Sequence, residues 1–334
     1  VLFILAFLLV AAVALFYSLQ KYVVTTADGV SLQLPFLADE TQEDEAAEAT
    51  ALPSVELVVE DPDYDSFIGE AGAEAERIGA YFVSDVDIAS GKLSSCADEA
   101  ETLGADALVL DMKPESGLLS WASDSETAHG YATAGTAEIA DSIAELKERG
   151  FYLIARLSVC VDDLVCERNP SAALTTESGD VFSDSVGSWL DPYNSFVRGY
   201  ISELMDELAD MGFDEILLSN LSQPESGEYN YSQTMSSTPS PTAAVSALAI
   251  RLVSDAEKLG ITLSAELADG EADATGQDTA LFCGVFARIY CPCTGDTASA
   301  HFDGLKDNLD VGDASARFVA IVSSPTEDTS WLVK

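Results

Sequence analysis

From residue 78 onward the hydrophobic positions of the chain fall into two alternating patterns. Short apolar runs, IGAYFVS, ALVLDMK, FYLIARLSV, WLDPYN, EILLSN, ITLSAEL, GVFARIYCP and ARFVAIVSS, have the length of buried strands. Between most of them lie segments whose apolar residues recur every three or four positions, among them LSSCADEAETLG, TAEIADSIAELKERG, SFVRGYISELMDELADMG and PTAAVSALAIRLVSDAEKLG. That period gathers apolar side chains on one helix face. Three of these helices stop at Gly150, Gly212 and Gly260, where glycine can take the left-handed conformation of a helix cap. Strand-length runs alternating with helices predict parallel strands joined by crossovers, and the simplest closure is an α/β fold of the (β/α)8 TIM-type barrel. A doubly wound open sheet is the alternative. Its nucleotide-binding form would need a G-x-G-x-x-G or Walker loop after a strand, and the sequence has neither.

The amino-terminal pattern is different. Val1 to Tyr17 is apolar without interruption, long enough as a helix to cross most of a hydrocarbon core of about 30 Å. It ends in Phe16 and Tyr17 rather than in a small-residue cleavage site, so residues 1–22 are expected to be an uncleaved transmembrane signal anchor, with a cleaved signal peptide as the alternative. Residues 23–53 follow as a membrane-proximal hairpin and an acidic linker, poor in large apolar residues, and 54–334 as the barrel. This arrangement predicts a single-pass protein of the bacterial cell membrane with its domain facing the extracellular side.

Charge narrows the partners. With 58 acidic against 15 basic residues and a net charge of -43, nucleic acid is excluded as a partner for most of the surface, while neutral ligands, cations and sugars stay open. Six cysteines are compatible with disulfides in an exported protein; Cys160 with Cys166 could close one loop, and Cys291-Pro292-Cys293 could anchor another. A metal site is not expected, because no C-x2-C pair occurs and His129 and His301 lie in unrelated stretches. No cofactor is implied.

In a barrel of this type the chemistry sits at the carboxyl-terminal strand ends. Those ends carry Asp111 and Lys113, Arg156 and Asp162, Asp191, Ser219 and Asn220, Glu266, and Arg288 with Tyr290. Asp214 and Glu215 begin their strand and belong to the opposite, stability face. Trp121 follows a strand end and is a candidate aromatic platform for a sugar ring; Tyr229 and Tyr231, in a long loop on the same side, are others.

VLDMKPESG, YLIARLSV, WLDPYN and GFDEILLSNLSQP, in this order and at these separations, resemble the bacterial surface proteins described as a "putative glycosyl hydrolase domain", barrels related to the alpha-amylase-like hydrolases. The resemblance covers roughly residues 77–325. Position by position it implies that Asp111 is the acid of the family's V-D-V-K-D-x-S-G strand, with Lys113, Ser116 and Gly117 retained. It also implies Arg156 in the I-A-R strand, an intact W-L-D-P-Y-N from Trp189 to Asn194, and Glu266 where the family has Asp. The family's F-D-E-I-Q-F-D-Y-I-R-F-P departs most: Ser219 replaces the strand-end Asp, Asn220 an aromatic, Ser222 the Arg and Gln223 a second aromatic.

Glycoside hydrolysis needs two carboxyl groups about the scissile bond, one of them held protonated. Asp111 and Glu266 are the expected pair, with Asp191 third; each also has a structural reading, Asp111 as a partner of Arg156 or Lys113 and Asp191 as a helix cap. Lys113, Arg156, Trp121, Ser219, Asn220 and Tyr290 are the expected substrate-binding residues. The resemblance therefore implies a glycoside hydrolase-like barrel that acts on or binds a cell-wall or extracellular polysaccharide or oligosaccharide. The substitutions around Ser219 imply the alternative, a catalytically inactive carbohydrate-binding or scaffolding descendant.

Overall fold

The computed structural model describes residues 23–26, 29–32, 71–125, 127–128, 139–232, 240–268, 272–293 and 297–334. The chain divides into two compact units, Val1–Val59 and Glu60–Lys334. In the first, β1 (Val23–Thr26) and β2 (Gly29–Leu32) pair antiparallel, the hairpin expected after the apolar run. The anchor and the acidic linker themselves lie outside the described residues. Among the described residues no helix is long and apolar enough to cross a membrane.

The second unit is a closed parallel barrel in the order β10-β3-β4-β5-β6-β7-β8-β9, a (β/α)8 TIM fold. Its strands are β3 (Gly79–Val83), β4 (Ala107–Lys113), β5 (Tyr152–Ser158), β6 (Glu215–Ser219), β7 (Thr262–Glu266), β8 (Ile289–Pro292), β9 (Phe318–Val322) and β10 (Ser330–Val333). Seven of the eight expected strands are present. WLDPYN is not one of them: Trp189 and Leu190 form isolated antiparallel bridges to Val161 and Ala173 within the long loop after β5. The eighth place is taken by Ser330–Val333, which pairs with both β9 and β3 and closes the barrel. Gly79 permits that closure, because the Trp331 indole lies where a β-carbon would stand.

Two apolar layers follow from the period of two along each strand. Ala80, Val109, Ile154, Leu217, Val319 and Leu332 fill the barrel interior, while their neighbours in sequence face the helices in a larger sheath that includes Leu108, Leu153, Leu218, Tyr200, Leu204 and Leu248. The same alternation decides what reaches the mouth. Two residues beyond Val109, Ile154 and Leu217 come Asp111, Arg156 and Ser219. Strand register places Asp111 beside Arg156 and Ser158 beside Ser219.

The interior also contains a polar band at the opposite end. Glu215, fully buried, accepts from the Arg288 guanidinium, from Tyr290 Oη at 3.0 Å and from Tyr152 Oη at 3.1 Å. Glu215 thus stands on the stability face, as expected. Arg288 precedes β8 rather than ending it, so it belongs to this band and not to the mouth.

Candidate active site at the barrel mouth

Arg156 organises the mouth. Its guanidinium is almost fully buried, and each of its three nitrogens meets a different carboxylate: Nη1 to Asp111 Oδ1 at 3.0 Å, Nη2 to Glu115 Oε1 at 2.8 Å, and Nε to Glu266 Oε2 at 3.4 Å. Guanidinium nitrogens are about 2.3 Å apart, so Asp111 and Glu115 hold these oxygens within about 8 Å of each other, and Asp111 and Glu266 within about 9 Å. Both bounds are compatible with the carboxyl separations of glycoside hydrolysis, about 5–9.5 Å across its two stereochemical outcomes.

The two carboxyl groups on the guanidinium's terminal nitrogens are driven in opposite directions. Burial raises the pKa of Asp111 and outweighs the attraction of Arg156. Burial pushes Glu115 the same way, but there the charge and hydrogen bond of Arg156, with a further bond from Asn220, prevail and bring it to about 2. Environments that separate the pKa values of neighbouring carboxyls are those that assign acid and base roles. Glu115 was not among the expected site residues. It stands at the variable position of the resembling motif, between Pro114 and Ser116, so the motif did not single it out.

Asn220 connects this cluster to the altered strand end. Its side-chain amide donates to Glu115 Oε1 at 2.8 Å and to Ser158 Oγ at 3.0 Å. Among the described residues it is the one non-glycine with positive φ, +49°. Asn tolerates that left-handed conformation better than most side chains, and the strained backbone aims the amide inward from the end of β6. Ser219 turns away, donating to the Leu157 carbonyl at 3.2 Å. The strand end that carries a carboxylate in the resembling motif therefore supplies an amide instead, directed at Glu115.

Above the cluster lies a cavity of about 240 Å³ lined by Trp189, Asn220, Gln223, Glu266, Gln277 and Pro292, among others. Gln223 is buried where the motif has an aromatic. It donates to Tyr231 Oη at 3.0 Å and accepts from Tyr229 Oη at 2.7 Å, so it pins both loop tyrosines. Gln277 fastens the floor, donating to the Leu221 and Glu266 carbonyls and accepting from the Ala268 amide.

Other expected site residues are engaged elsewhere. Lys113 has no exposed surface; it pairs with Asp162 Oδ2 at 2.8 Å, donates to the Ser158 carbonyl at 2.6 Å and lies over the Tyr200 ring. Asp162 in turn caps the helix Asp163–Arg168. Trp121 is buried, and its indole N–H donates to Glu207 Oε2 at 2.6 Å, which removes it as a sugar platform. Tyr290 is directed to the Glu215 band below. Asp191, wholly buried, accepts from the Tyr193 amide with one oxygen and from the Ser232 amide and hydroxyl with the other. The cap of the following helix, Ser195–Asp210, is Asn194 rather than Asp191.

No cysteine forms a disulfide, including Cys160 and Cys166, both buried with thiol pKa values pushed up to about 12 by burial. His301, by contrast, does not stand apart. It lies against Cys291 and Cys293, with one potential ligand atom from each of the three within 4.8 Å of the others.

Fold and site together define the class of this chain, a closed (β/α)8 barrel with a carboxylate cluster at the carboxyl-terminal ends of its strands. Within it the chain is a member of the family described as "Putative glycosyl hydrolase domain", whose sequence pattern matches residues 80–278. No curated protein matches the chain. Similar solved structures include a hypothetical protein from Ruminiclostridium thermocellum, 20% identical, covering 58% of this chain and 98% of that one, with a TM-score of 0.47. A Streptomyces plicatus beta-hexosaminidase in complex with GlcNAc is 13% identical over 74% of this chain and 47% of that one, TM-score 0.46. The glycoside hydrolase domain of Pseudomonas aeruginosa PelA is 16% identical over 74% and 84%, TM-score 0.43.

Proposed function

We propose that the barrel is a glycoside hydrolase acting on a cell-wall or extracellular polysaccharide or oligosaccharide, with Asp111 as the acid and Glu115 as the carboxylate that activates water. One observation carries this reading: a single buried guanidinium holds two carboxyl groups close together while their surroundings push one pKa up and the other down to about 2. The reaction uses a proton donor beside an ionised carboxylate, and the directions of the two shifts rank Asp111 as the weaker acid of the pair and Glu115 as the stronger. Glu266, the third carboxylate on Arg156, borders the cavity and is suited to hold a sugar hydroxyl. In this reading residues 1–22 anchor the chain in the bacterial membrane and the barrel faces outward; its support is the uninterrupted apolar run Val1–Tyr17.

A second reading is motivated by the β6 end. With Ser219 turned away and Asn220 bonded to Glu115, that strand supplies no carboxylate, and the Arg156 cluster could serve to fix a binding surface without cleavage. A glycan array on the barrel, followed by product analysis on the glycans it binds, separates the two. Hydrolysis that falls at least about a thousandfold in both Asp111→Asn and Glu115→Gln, with binding retained, supports the hydrolase. Binding without released sugar in the wild type supports the second reading. Absence of glycan binding overturns both.

A further inference from the structure

We propose that Cys291, Cys293 and His301 form a binding site for a zinc-class divalent cation on the mouth side of the barrel, with a fourth coordination position open to the adjoining cavity. Cys291 belongs to β8 and Cys293 immediately follows it, while His301 comes from the helix Thr297–Leu305 that packs beyond. The chain has two histidines and six cysteines, and one of the former with two of the latter meet at this point. Their ligand atoms lie within 4.8 Å of one another. In a zinc tetrahedron, with bonds of about 2.3 Å to sulfur and about 2.0 Å to nitrogen, ligand atoms stand about 3.5–4 Å apart, so the three need only close slightly around an ion.

The donor set selects the metal. Two thiolates and an imidazole favour borderline-soft ions such as Zn2+ over Mg2+ or Ca2+, which take oxygen ligands. The framework is held independently of any ion: the Cys293 amide donates to the Ile321 carbonyl at 2.9 Å, and Phe302, beside His301, packs against Phe318 of β9. A cavity of about 370 Å³, lined by Pro292, Cys293, Thr297, His301, Ser323 and Lys334, adjoins two of the three ligands, Cys293 and His301. Three protein ligands beside such a space leave a position for water or a small ligand, the pattern of an open site rather than a closed structural one. The net charge of -43 raises the local concentration of cations. Binding replaces the two thiol protons with metal–sulfur bonds and releases both protons to solvent, so affinity rises with pH.

The test is a Co2+ titration of the full chain, kept reduced and free of chelators. One equivalent is expected to produce thiolate-to-cobalt charge-transfer absorption and the intense d–d bands of tetrahedral Co2+, both removed by one equivalent of Zn2+. Cys293→Ser should abolish most of the charge-transfer band, and His301→Gln should weaken binding at least about tenfold. His301 is exposed, so its substitution leaves the fold intact and decides the matter even if the cysteine variant is unstable. Only the weak spectrum of octahedral Co2+, bands that survive both substitutions, or a Cys291–Cys293 disulfide that persists under the reducing conditions would each overturn the proposal. The readout is independent of whether the barrel cleaves glycans.

Discussion

Glu115 and Asp111 share one arginine yet titrate apart, because Glu115 receives an extra hydrogen bond from Asn220 and is less deeply buried. The depressed pKa of Glu115 has a consequence for stability. On acidification the unfolded chain takes up that proton first, so the stabilisation from the Glu115–Arg156 pair is complete above about pH 5 and is lost as pH falls towards about 2. The stability gap between the wild type and Glu115→Gln, measured by urea denaturation, should therefore shrink over that interval. A gap that stays constant would show that the pair does not ionise differently in the folded state. Asp111 and Arg156 were legible in the sequence as strand-end residues. Glu115 was not, because it lies two residues past the end of β4 and its partners, Arg156 and Asn220, come from distant strands. Gly117 has φ +79°, and Asp162 occupies the place a β-carbon would take.

At the scale of elements, the loop after β4 is tied to the helix Ser195–Asp210 chiefly through Glu207, with Glu203 of the same helix accepting from the Ser125 hydroxyl. Glu207 accepts from the Trp121 indole, the Ser123 hydroxyl and the amides of Asp124 and Ser125. Four donors on one carboxylate make this a clamp between two excursions of the chain. Trp121→Phe keeps the apolar packing and removes one charge-assisted bond, so it is expected to cost about 1.5–3 kcal/mol in denaturant unfolding while leaving glycan affinity unchanged. A large loss of binding at unchanged stability would return Trp121 to the sugar site. The sequence could not distinguish these roles: a tryptophan after a strand end satisfies either, and its partner lies 86 positions away. WLDPYN was misread for a related reason. Its apolar residues satisfy the pattern of a short strand, but Asp191 and Asn194 spend their side chains on turns and a helix cap, and Pro192 cannot donate to a sheet ladder.

For the whole molecule, closure rests on the last strand. β10 pairs with β9 on one side and β3 on the other, and Trp331 packs over Gly79. Removing Ser330–Lys334 would open the barrel and expose two strand edges, so the truncated chain should lose its single cooperative unfolding transition in calorimetry while retaining much of its helical circular dichroism. A transition of unchanged sharpness and midpoint would show that the seven remaining strands suffice.

Local patterning determined most of the architecture. The short, near-continuous apolar runs ALVLDMK, FYLIARLSV and EILLSN, set against the helical period between them, specified parallel strands buried on both faces, and position along each strand then fixes which residues face inward. It also carried Asp111, Arg156 and Glu266 to the mouth. Only the tertiary structure decided what they do there. Whether a polar side chain faces a ligand or another residue depends on neighbours distant along the chain. Lys113 is taken by Asp162, Tyr290 by Glu215, and Asp191 by Ser232, whereas Glu115 and His301 are brought to places their local sequence does not announce.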